Sequence, residues 1–594
     1  MKDAKWIIEP LTAEQEAICA RLADELAISQ LSASILVRRG LTTAAMARSF
    51  IRPRLEDLHD PYLMKDMQKA VDRIDRAMAQ GEKILIYGDY DVDGTTAVSL
   101  MYKFFHPFCE NLDYYIPDRY LEGYGISFRG IDYAAEHGCT LIIALDCGIK
   151  SVDKVEYATK RGIDFIICDH HMPGDELPKA VAVLDPHRED DTYPYRELCG
   201  CGVGFKLAQA YAIRHEMAFY DLLPLLELTA MSIASDIVPV TGENRILAYF
   251  GLREINKKPS VGLQSIMNLA GIHPGRLTIS DLVYKIGPRV NACGRIKSGI
   301  EAVRLLITED ADLAAAMSEA VNDYNKSRQD MDKTISEEAL QQLQSDPENA
   351  SKHTTVVFSK HWHKGVVGIV ASRLTESYFR PTIVLTGSED GLISGSARSV
   401  SDFDIYTAID SCRDLLTNFG GHMFAAGLSM REENLPEFKR RFEEYVAAHI
   451  TADQQEPVVE VEAEIALSDI TPQFFRILQC LEPYGPGNPR PVFVTRNMIN
   501  YRYTKRVGKM GEHLKLDLTD RTASISGIAF GQGDLATYFQ NGNPADVCYE
   551  LDENHFNGLT SIQMTAIDIK KMENGKLKIL NSAEPHTIGK AVEN

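Results

Sequence analysis

A set of aspartates and one pair of adjacent histidines carry the reactive chemistry of this sequence. Asp89, Asp91 and Asp93 stand in the loop Gly88-Asp89-Tyr90-Asp91-Val92-Asp93-Gly94, Asp146 in Leu145-Asp146-Cys147-Gly148, Asp169 directly before His170-His171, and Asp236 in Ser235-Asp236-Ile237. Carboxylates this closely spaced repel one another unless cations share the loop, and a divalent metal is the simplest neutraliser. A calcium loop of the EF-hand kind is excluded, because its glycine and distal glutamate are missing at their offsets. Mixed Asp and His ligation without thiolate favours Mn²⁺ or Mg²⁺ over structural zinc. Neighbouring histidines in extended chain point different ways, so one can ligate while the other faces a substrate.

These residues need a scaffold that gathers them. The runs Ile84–Tyr87, Leu141–Leu145, Phe165–Cys168 and Val181–Leu184 are nearly continuous in apolar residues and read as buried parallel strands separated by helical crossovers. Each is followed by acid: Asp89 to Asp93, Asp146, Asp169 and Asp185. The carboxyl ends of such strands form the ligand crevice of an open α/β sheet, so the acids share one cleft. Between Asp312 and Asp346 apolar residues recur at helical spacing, predicting one long helix of ~50 Å. A second α/β unit comes next, with strands near Thr355–Phe358 and Thr382–Leu385 and glycine-rich turns at Gly391–Ser396 and Gly420-Gly421. From Glu456 onward short alternating runs (Val458–Ile465, Val492–Thr495, His513–Leu518, Ala523–Phe530) suggest a small β-barrel of the OB type.

The expected organisation is a helical lead-in over 1–60 packed on a parallel-sheet α/β domain over 61–300. A long connecting helix over 301–347 then leads to a second α/β domain over 348–452, an OB-like domain over 453–572 and a tail over 573–594. A net charge of −21 excludes a surface that grips nucleic acid everywhere, so any strand binding is local. The local candidate is Tyr501, Arg502, Tyr503, Lys505, Arg506, Lys509 and Lys515, a basic and aromatic patch on the expected barrel, where aromatic faces can stack bases of any sequence. The eleven cysteines lack paired spacing for a zinc site and read as reduced thiols. With no apolar run of signal or membrane-span length, a cytoplasmic protein is expected.

In order and context, Gly88–Gly94, Asp146-Cys147-Gly148, Asp169-His170-His171 and Ser235-Asp236 resemble the DHH phosphoesterases. Gly287–Arg295, Trp362–Gly368, Ser394–Ser399, Phe419–His422 and Leu481–Pro489 resemble the RecJ branch of that superfamily, over about residues 60 to 570. The resemblance implies a DHH catalytic domain, a DHH-associated domain and an OB domain. It implies a single-strand-specific DNA exonuclease that cuts from the 5′ end, releases mononucleotides and acts in DNA repair and recombination. Asp91, Asp93, Asp146, His170 and Asp236 would bind one or two Mn²⁺ or Mg²⁺ ions, with Asp146 bridging. Asp169 would hold the histidine, Asp89 would support the loop, and His171 would meet the scissile phosphate. Arg119, Ser396 and Arg398 would hold the 5′ phosphate, with Arg289 and Arg295 near the cleaved phosphate, Gly365–Gly368 and Gly420-Gly421-His422 along the sugar-phosphate chain, and Tyr501, Tyr503, Lys505 and Arg506 in the barrel groove. Tyr87 stands where many members carry a metal-binding histidine, which leaves the second metal one ligand fewer. Single-strand-binding protein and a RecQ-type helicase are the partners implied, acting with a monomer.

Three related readings compete. A DHH phosphodiesterase on short oligonucleotides or cyclic dinucleotides would use the same metals, but would not need the barrel patch. A non-catalytic DHH replication scaffold would have lost metal ligands, whereas all five implied ligands are present. An inorganic pyrophosphatase would need no strand groove.

Overall fold

The apolar runs fold as five parallel strands, β1 (Lys83–Gly88), β2 (Leu112–Tyr115), β3 (Cys139–Leu145), β4 (Asp164–Cys168) and β5 (Ala182–Leu184). Their order is β2-β1-β3-β4-β5. Alternate residues of one strand enter different cores: Ile84 and Ile86 pack with Leu141 and Ile143 on one face, Leu85 and Tyr87 with Ile142 and Ala144 on the other. Burial on both faces is why these strands read as continuous rather than alternating. The strand order reverses between β1 and β3, and the crevice beyond their carboxyl ends is where a doubly wound sheet binds its ligand.

The computed structural model describes residues 4–388, 391–556, 559–572 and 586–587. The described residues form two compact units, one within Arg54–Gln455 and Gly485–Gly487, the other made of those up to Pro53, Glu456–Tyr484 and those from Asn488 onward. In the first, the parallel sheet is followed by two helices over the expected single one, Ile300–Ile307 and Ala311–Gln344, separated where Asp310 caps the second. The longer helix has 34 residues, or ~50 Å at 1.5 Å per residue.

Beyond it lies a five-stranded sheet of β6 (Thr355–Ser359), β7 (Thr382–Gly387), β8 (Leu392–Arg398), β9 (Leu416–His422) and β10 (Ala425–Arg431), in the order β9-β10-β8-β7-β6. Of the glycine-rich stretches expected as turns, Leu392–Ser396 and Gly420-Gly421 are strand, while Gly391 precedes its strand with a φ of +72. A Cβ at Gly395 would sit 2.2 Å from the Val384 carbonyl, so this glycine serves close strand approach and not chain reversal.

In the second unit, β11 (Val492–Asn500), β12 (His513–Thr519), β13 (Ala523–Ala529), β14 (Ala545–Phe556) and β15 (Leu559–Lys571) pair in a path that closes on itself: β11, β12, β13, β15, β14 and back to β11. Only β13 and β15 are parallel in that ring. This is the five-stranded Greek-key connectivity of an OB fold.

The expected lead-in divides: Leu55 and Leu58 pack on the core of the parallel-sheet domain, as expected, but its α-helices belong to the barrel unit. Ile35, Leu36, Leu41 and Ala47 join the barrel core with Phe493, Leu516 and Tyr549, and the strand Lys5–Ile7 pairs with Val458–Glu460. An amphipathic helix shows that it needs a partner, not which one. Of the expected tail, only residues 586–587 are described. Ten of the eleven cysteines are buried and all are thiols.

Ile35 is fully enclosed in the barrel core. Ile35→Ala is expected to destabilise that unit by ~2–5 kcal/mol. Hydrogen exchange should then lose protection across 492–571 with the 83–184 sheet unchanged; equal loss in both units would contradict this packing.

Candidate active site

The carboxyl ends of β1, β3 and β4 bring the acidic residues together, and each is placed by its own backbone device. Asp91 caps helix α1 (Val92–Phe105), its Oδ1 accepting the Gly94 amide at 3.0 Å. Asp93, in the first turn, accepts the Gly200 amide at Oδ2 and the Cys201 amide at Oδ1, both at 2.7 Å, and the Ser232 hydroxyl at 2.7 Å. Those amides open helix α2 (Gly200–Arg214), so the positive end of its dipole meets a carboxylate. Asp146 adopts φ +57, a left-handed conformation rare for non-glycine residues. Gly200 makes room for it: a Cβ there would lie 2.6 Å from the Asp146 Cβ. Asp236 ends helix α3 (Leu226–Ser235).

His170 is the centre of the cluster. Its Nε2 lies 3.2 Å from Asp146 Oδ1, 3.5 Å from Asp236 Oδ2 and 3.7 Å from Asp93 Oδ2. Among the described residues that buried nitrogen has no hydrogen-bond partner. One ligand atom from each of Asp93, His170 and Asp236 falls within 4.8 Å of the others, as it does for Asp146, His170 and His171. A buried imidazole nitrogen ringed by carboxylates and left unpaired is explained by a cation between them. The all-oxygen-and-imidazole donor set suits Mn²⁺ or Mg²⁺. Asp91 stands at the edge, in neither group, with one oxygen committed to its cap.

Without a cation the charges are frustrated. Burial, then repulsion from Asp93 and Asp91, pushes Asp236 up to about 9. The same causes in the same order raise Asp146 far above the carboxylate range, with Asp236 adding to them. Asp91 is raised by burial and by Asp93.

Asp169 behaves oppositely. Burial works against its charge, yet His171 and the Ile149 amide hold it down to about 2. Its Oδ1 accepts His171 Nδ1 at 2.7 Å and the His170 and His171 amides at 2.8 and 3.2 Å, while Oδ2 accepts the Ile149 amide at 2.8 Å. The expectation that Asp169 holds the ligand histidine needs correcting. The ring it orients is His171, and it touches His170 only through the backbone. Burial opposes protonation of His171, but the Asp169 bond lifts it to about 9. His171 Nε2 is 3.0 Å from the Tyr124 hydroxyl, so the ring expected to meet the scissile phosphate is also hydrogen-bonded within the protein. Asp89 supports the neighbouring loop, its Oδ1 accepting the Gly125 amide at 3.1 Å. Tyr87 is wholly buried; its hydroxyl donates to the Gly125 carbonyl at 3.0 Å and accepts the Ser127 amide at 3.1 Å.

A second cluster is cationic. Burial, then the nearby guanidiniums of Arg119, Arg328 and Arg398, depresses Arg295 to about 10. Among the described residues no carboxylate lies within ion-pair distance of Arg119, Arg295 or Arg398. Arg295 Nη1 donates to the Gly365 carbonyl at 2.9 Å, and Tyr120 donates to the Arg295 carbonyl at 2.5 Å. Arg398 and Ser396 face Gly368 in the first turn of helix α4 (Val367–Tyr378), where a Cβ would come within 3.2 Å of Arg398 Nη2 and Ser396 Oγ. Uncompensated guanidiniums, a hydroxyl and a helix N-terminus make an anion pocket. Arg289 reaches Asn322 on the long helix at 3.2 Å. His422 stays exposed at its strand end, its described polar contact being the Phe424 amide at 3.3 Å.

Arg328 and Tyr124 were not singled out from the sequence. Arg328 hydrogen-bonds Asn325 one helical turn back, which in sequence is an ordinary solvated helix pair. On the barrel, Tyr503 is widely exposed, Arg502 stacks on Tyr501 at 4.6 Å, Lys505 faces Lys515 across the ladder, and Arg506 is paired with Asp534 at 2.9 Å.

Comparison with known proteins fits this arrangement. Three family models match in succession: the DHH family N-terminal domain over 83–233, the DHHA1 domain over 351–448 and the RecJ OB domain over 461–568. The single-stranded-DNA-specific exonuclease RecJ of Bacillus subtilis is 36% identical over 550 residues, covering 92% of this chain and 69% of the relative. The Escherichia coli protein of that name is 31% identical over 521 residues, covering 84% and 89%. The crystal structure of Thermus thermophilus RecJ in complex with Mn²⁺ superposes with a TM-score of 0.81 at 28% identity, covering 96% of this chain and 80% of that one, and the same protein has been solved with Mg²⁺. With these three domain models matched in succession and identity above 30% across most of both chains, this protein belongs to the RecJ family.

Proposed function

We propose that this protein is a metal-dependent exonuclease that degrades single-stranded DNA from the 5′ end to mononucleotides, in DNA repair and recombination. The observation that carries the reading is the pairing of two opposite charge clusters through one short loop: Arg119 belongs to the cationic pocket and Tyr124, five residues on, touches His171. Five residues span at most ~18 Å, so an anion held at the arginines leaves room for very little strand before the carboxylate centre. That suits removal of terminal units and not internal cutting. The relatives' printed activity, single-stranded-DNA-specific exonuclease, supports the substrate.

Asp93, Asp146, His170 and Asp236 would hold the cations, with Asp91 completing the set. Bound divalent cations make a water acidic and balance charge on the attacking and leaving oxygens at phosphorus. Asp169 keeps His171 oriented, the arginines neutralise the phosphates, and Ser396 with the first turn of α4 receives the terminal phosphate. Family relationship suggests a single-strand-binding protein and a RecQ-type helicase as partners. Among the described residues, no helix is long and apolar enough to cross a membrane.

Two outcomes test this. Burial and like charge raise Asp236 to about 9 and Asp146 in the same direction, so a cation that binds at neutral pH displaces protons from these carboxylates. Mn²⁺ affinity should therefore strengthen from pH 6 to 9, and calorimetry in buffers of different ionisation enthalpy should show proton release; a slope of zero would count against the site. Arg398→Ala should raise KM for 5′-phosphorylated strands roughly 10- to 100-fold, the loss of a charged hydrogen bond of about 1.5–3 kcal/mol, and 5′-hydroxyl strands under threefold. Equal loss on both would remove Arg398 from the terminal pocket.

A further inference from the structure

The loop that carries Arg119 also places a phenol at the catalytic histidine. Tyr124 sits between Gly123 at φ +86 and Gly125 at φ +79, left-handed positions that glycine adopts without strain. The loop is pinned from below by Tyr87 at the Gly125 carbonyl and Ser127 amide, and by Asp89 at the Gly125 amide. The Tyr90 ring meets Tyr124 edge-on at 6.2 Å while Arg119 lies over Tyr90 at 4.9 Å. Tyr124 is 53% exposed, so its rigid seat still opens toward the solvent side of the cleft.

A chain of hydrogen bonds runs outward from the buried acid: Asp169 Oδ1 to His171 Nδ1 at 2.7 Å, then His171 Nε2 to the Tyr124 hydroxyl at 3.0 Å. Both ring nitrogens of His171 are thereby engaged by the protein. Beyond His171, the Tyr124 hydroxyl lies 3.4 Å from the Asp146 carbonyl, long for an O–H donor. A phosphate oxygen beside the metal centre would be a nearer and stronger acceptor for it. We infer that Tyr124 is a catalytic residue, the substrate-facing end of an Asp169–His171–Tyr124 chain, whose hydroxyl donates to a non-bridging oxygen of the scissile phosphate. His171 then acts through it. The departure at Tyr87 gains a role as well: where a ligand histidine would stand, this chain has the anchor of the Tyr124 loop. The inference rests on the exonuclease reading above.

The test is single-turnover cleavage of a 5′-phosphorylated strand in Mn²⁺ by the full chain, its Tyr124→Phe and His171→Ala variants and the double variant. Removing one donor aimed at developing charge costs on the order of 100-fold in rate. Tyr124→Phe should lose about that much with KM and Mn²⁺ affinity within threefold, and the double variant should be no slower than the slower single variant, as for residues acting as a unit. Sulfur in place of the contacted oxygen, in one phosphorothioate diastereomer, should shrink the Tyr124→Phe loss to under threefold, a signature that a purely structural tyrosine would not give. The inference is overturned if Tyr124→Phe stays within threefold of the parent, if the two losses multiply, or if neither diastereomer changes the ratio. Failure of the parent to cut the strand would instead defeat the exonuclease reading, and this inference with it.

Discussion

Like charge forced into a small, poorly hydrated space is the constraint on which this structure turns. Asp93, Asp146 and Asp236 surround His170 Nε2 at 3.2 to 3.7 Å, and burial denies them the water that would screen their repulsion. Without a cation, burial and like charge favour the protonated forms of Asp146 and Asp236. A divalent cation relieves the conflict at once. The site is thus assembled by the fold at an energetic cost that only a charged ligand offsets, and the strain at Asp146, a left-handed aspartate, is part of that cost.

The fold keeps these groups from drifting apart by rigid means. Strand ends at the reversal of sheet order supply the loops, and the opening turn of α2 locks Asp93 with two amides. Gly94 and Gly294 let backbone close to contact distance against the Asp89–Tyr90 turn, where added Cβ atoms would sit 2.4 and 2.5 Å from carbonyl oxygens. The counterpart is the arginine pocket, where the missing charges are negative. One unit therefore holds an anionic cluster and a cationic one, and in the function proposed above a phosphorylated strand end with its metal would satisfy both. This is how a chain of net charge −21 handles nucleic acid without a basic surface.

Much of this was legible in the residues. Parallel strands buried on both faces announce themselves as unbroken apolar runs, and the acids at their ends mark the crevice. Ala311–Gln344 was visible through its period, though the break at Asp310 before it was not. Three things stayed hidden for physical reasons. Glycines at 395, 420 and 421 signal either turns or close strand approach, and only the neighbouring backbone decides. Adjacent histidines do not reveal which ring the preceding aspartate will hold, and here it is His171. Helices of the lead-in carry an apolar face that fits any core, so their union with a barrel more than 400 residues away leaves no local trace.

The central claim is that cations occupy the ring of Asp93, Asp146, His170 and Asp236. The most direct measurement is anomalous diffraction at the manganese edge from crystals grown with Mn²⁺. A peak within about 2.3 Å of His170 Nε2 and of carboxylate oxygens from at least two of those aspartates is the result this account predicts, that distance following from first-row metal coordination. Density elsewhere, or a His170 Nε2 paired only with a protonated carboxylate at saturating Mn²⁺, would contradict it.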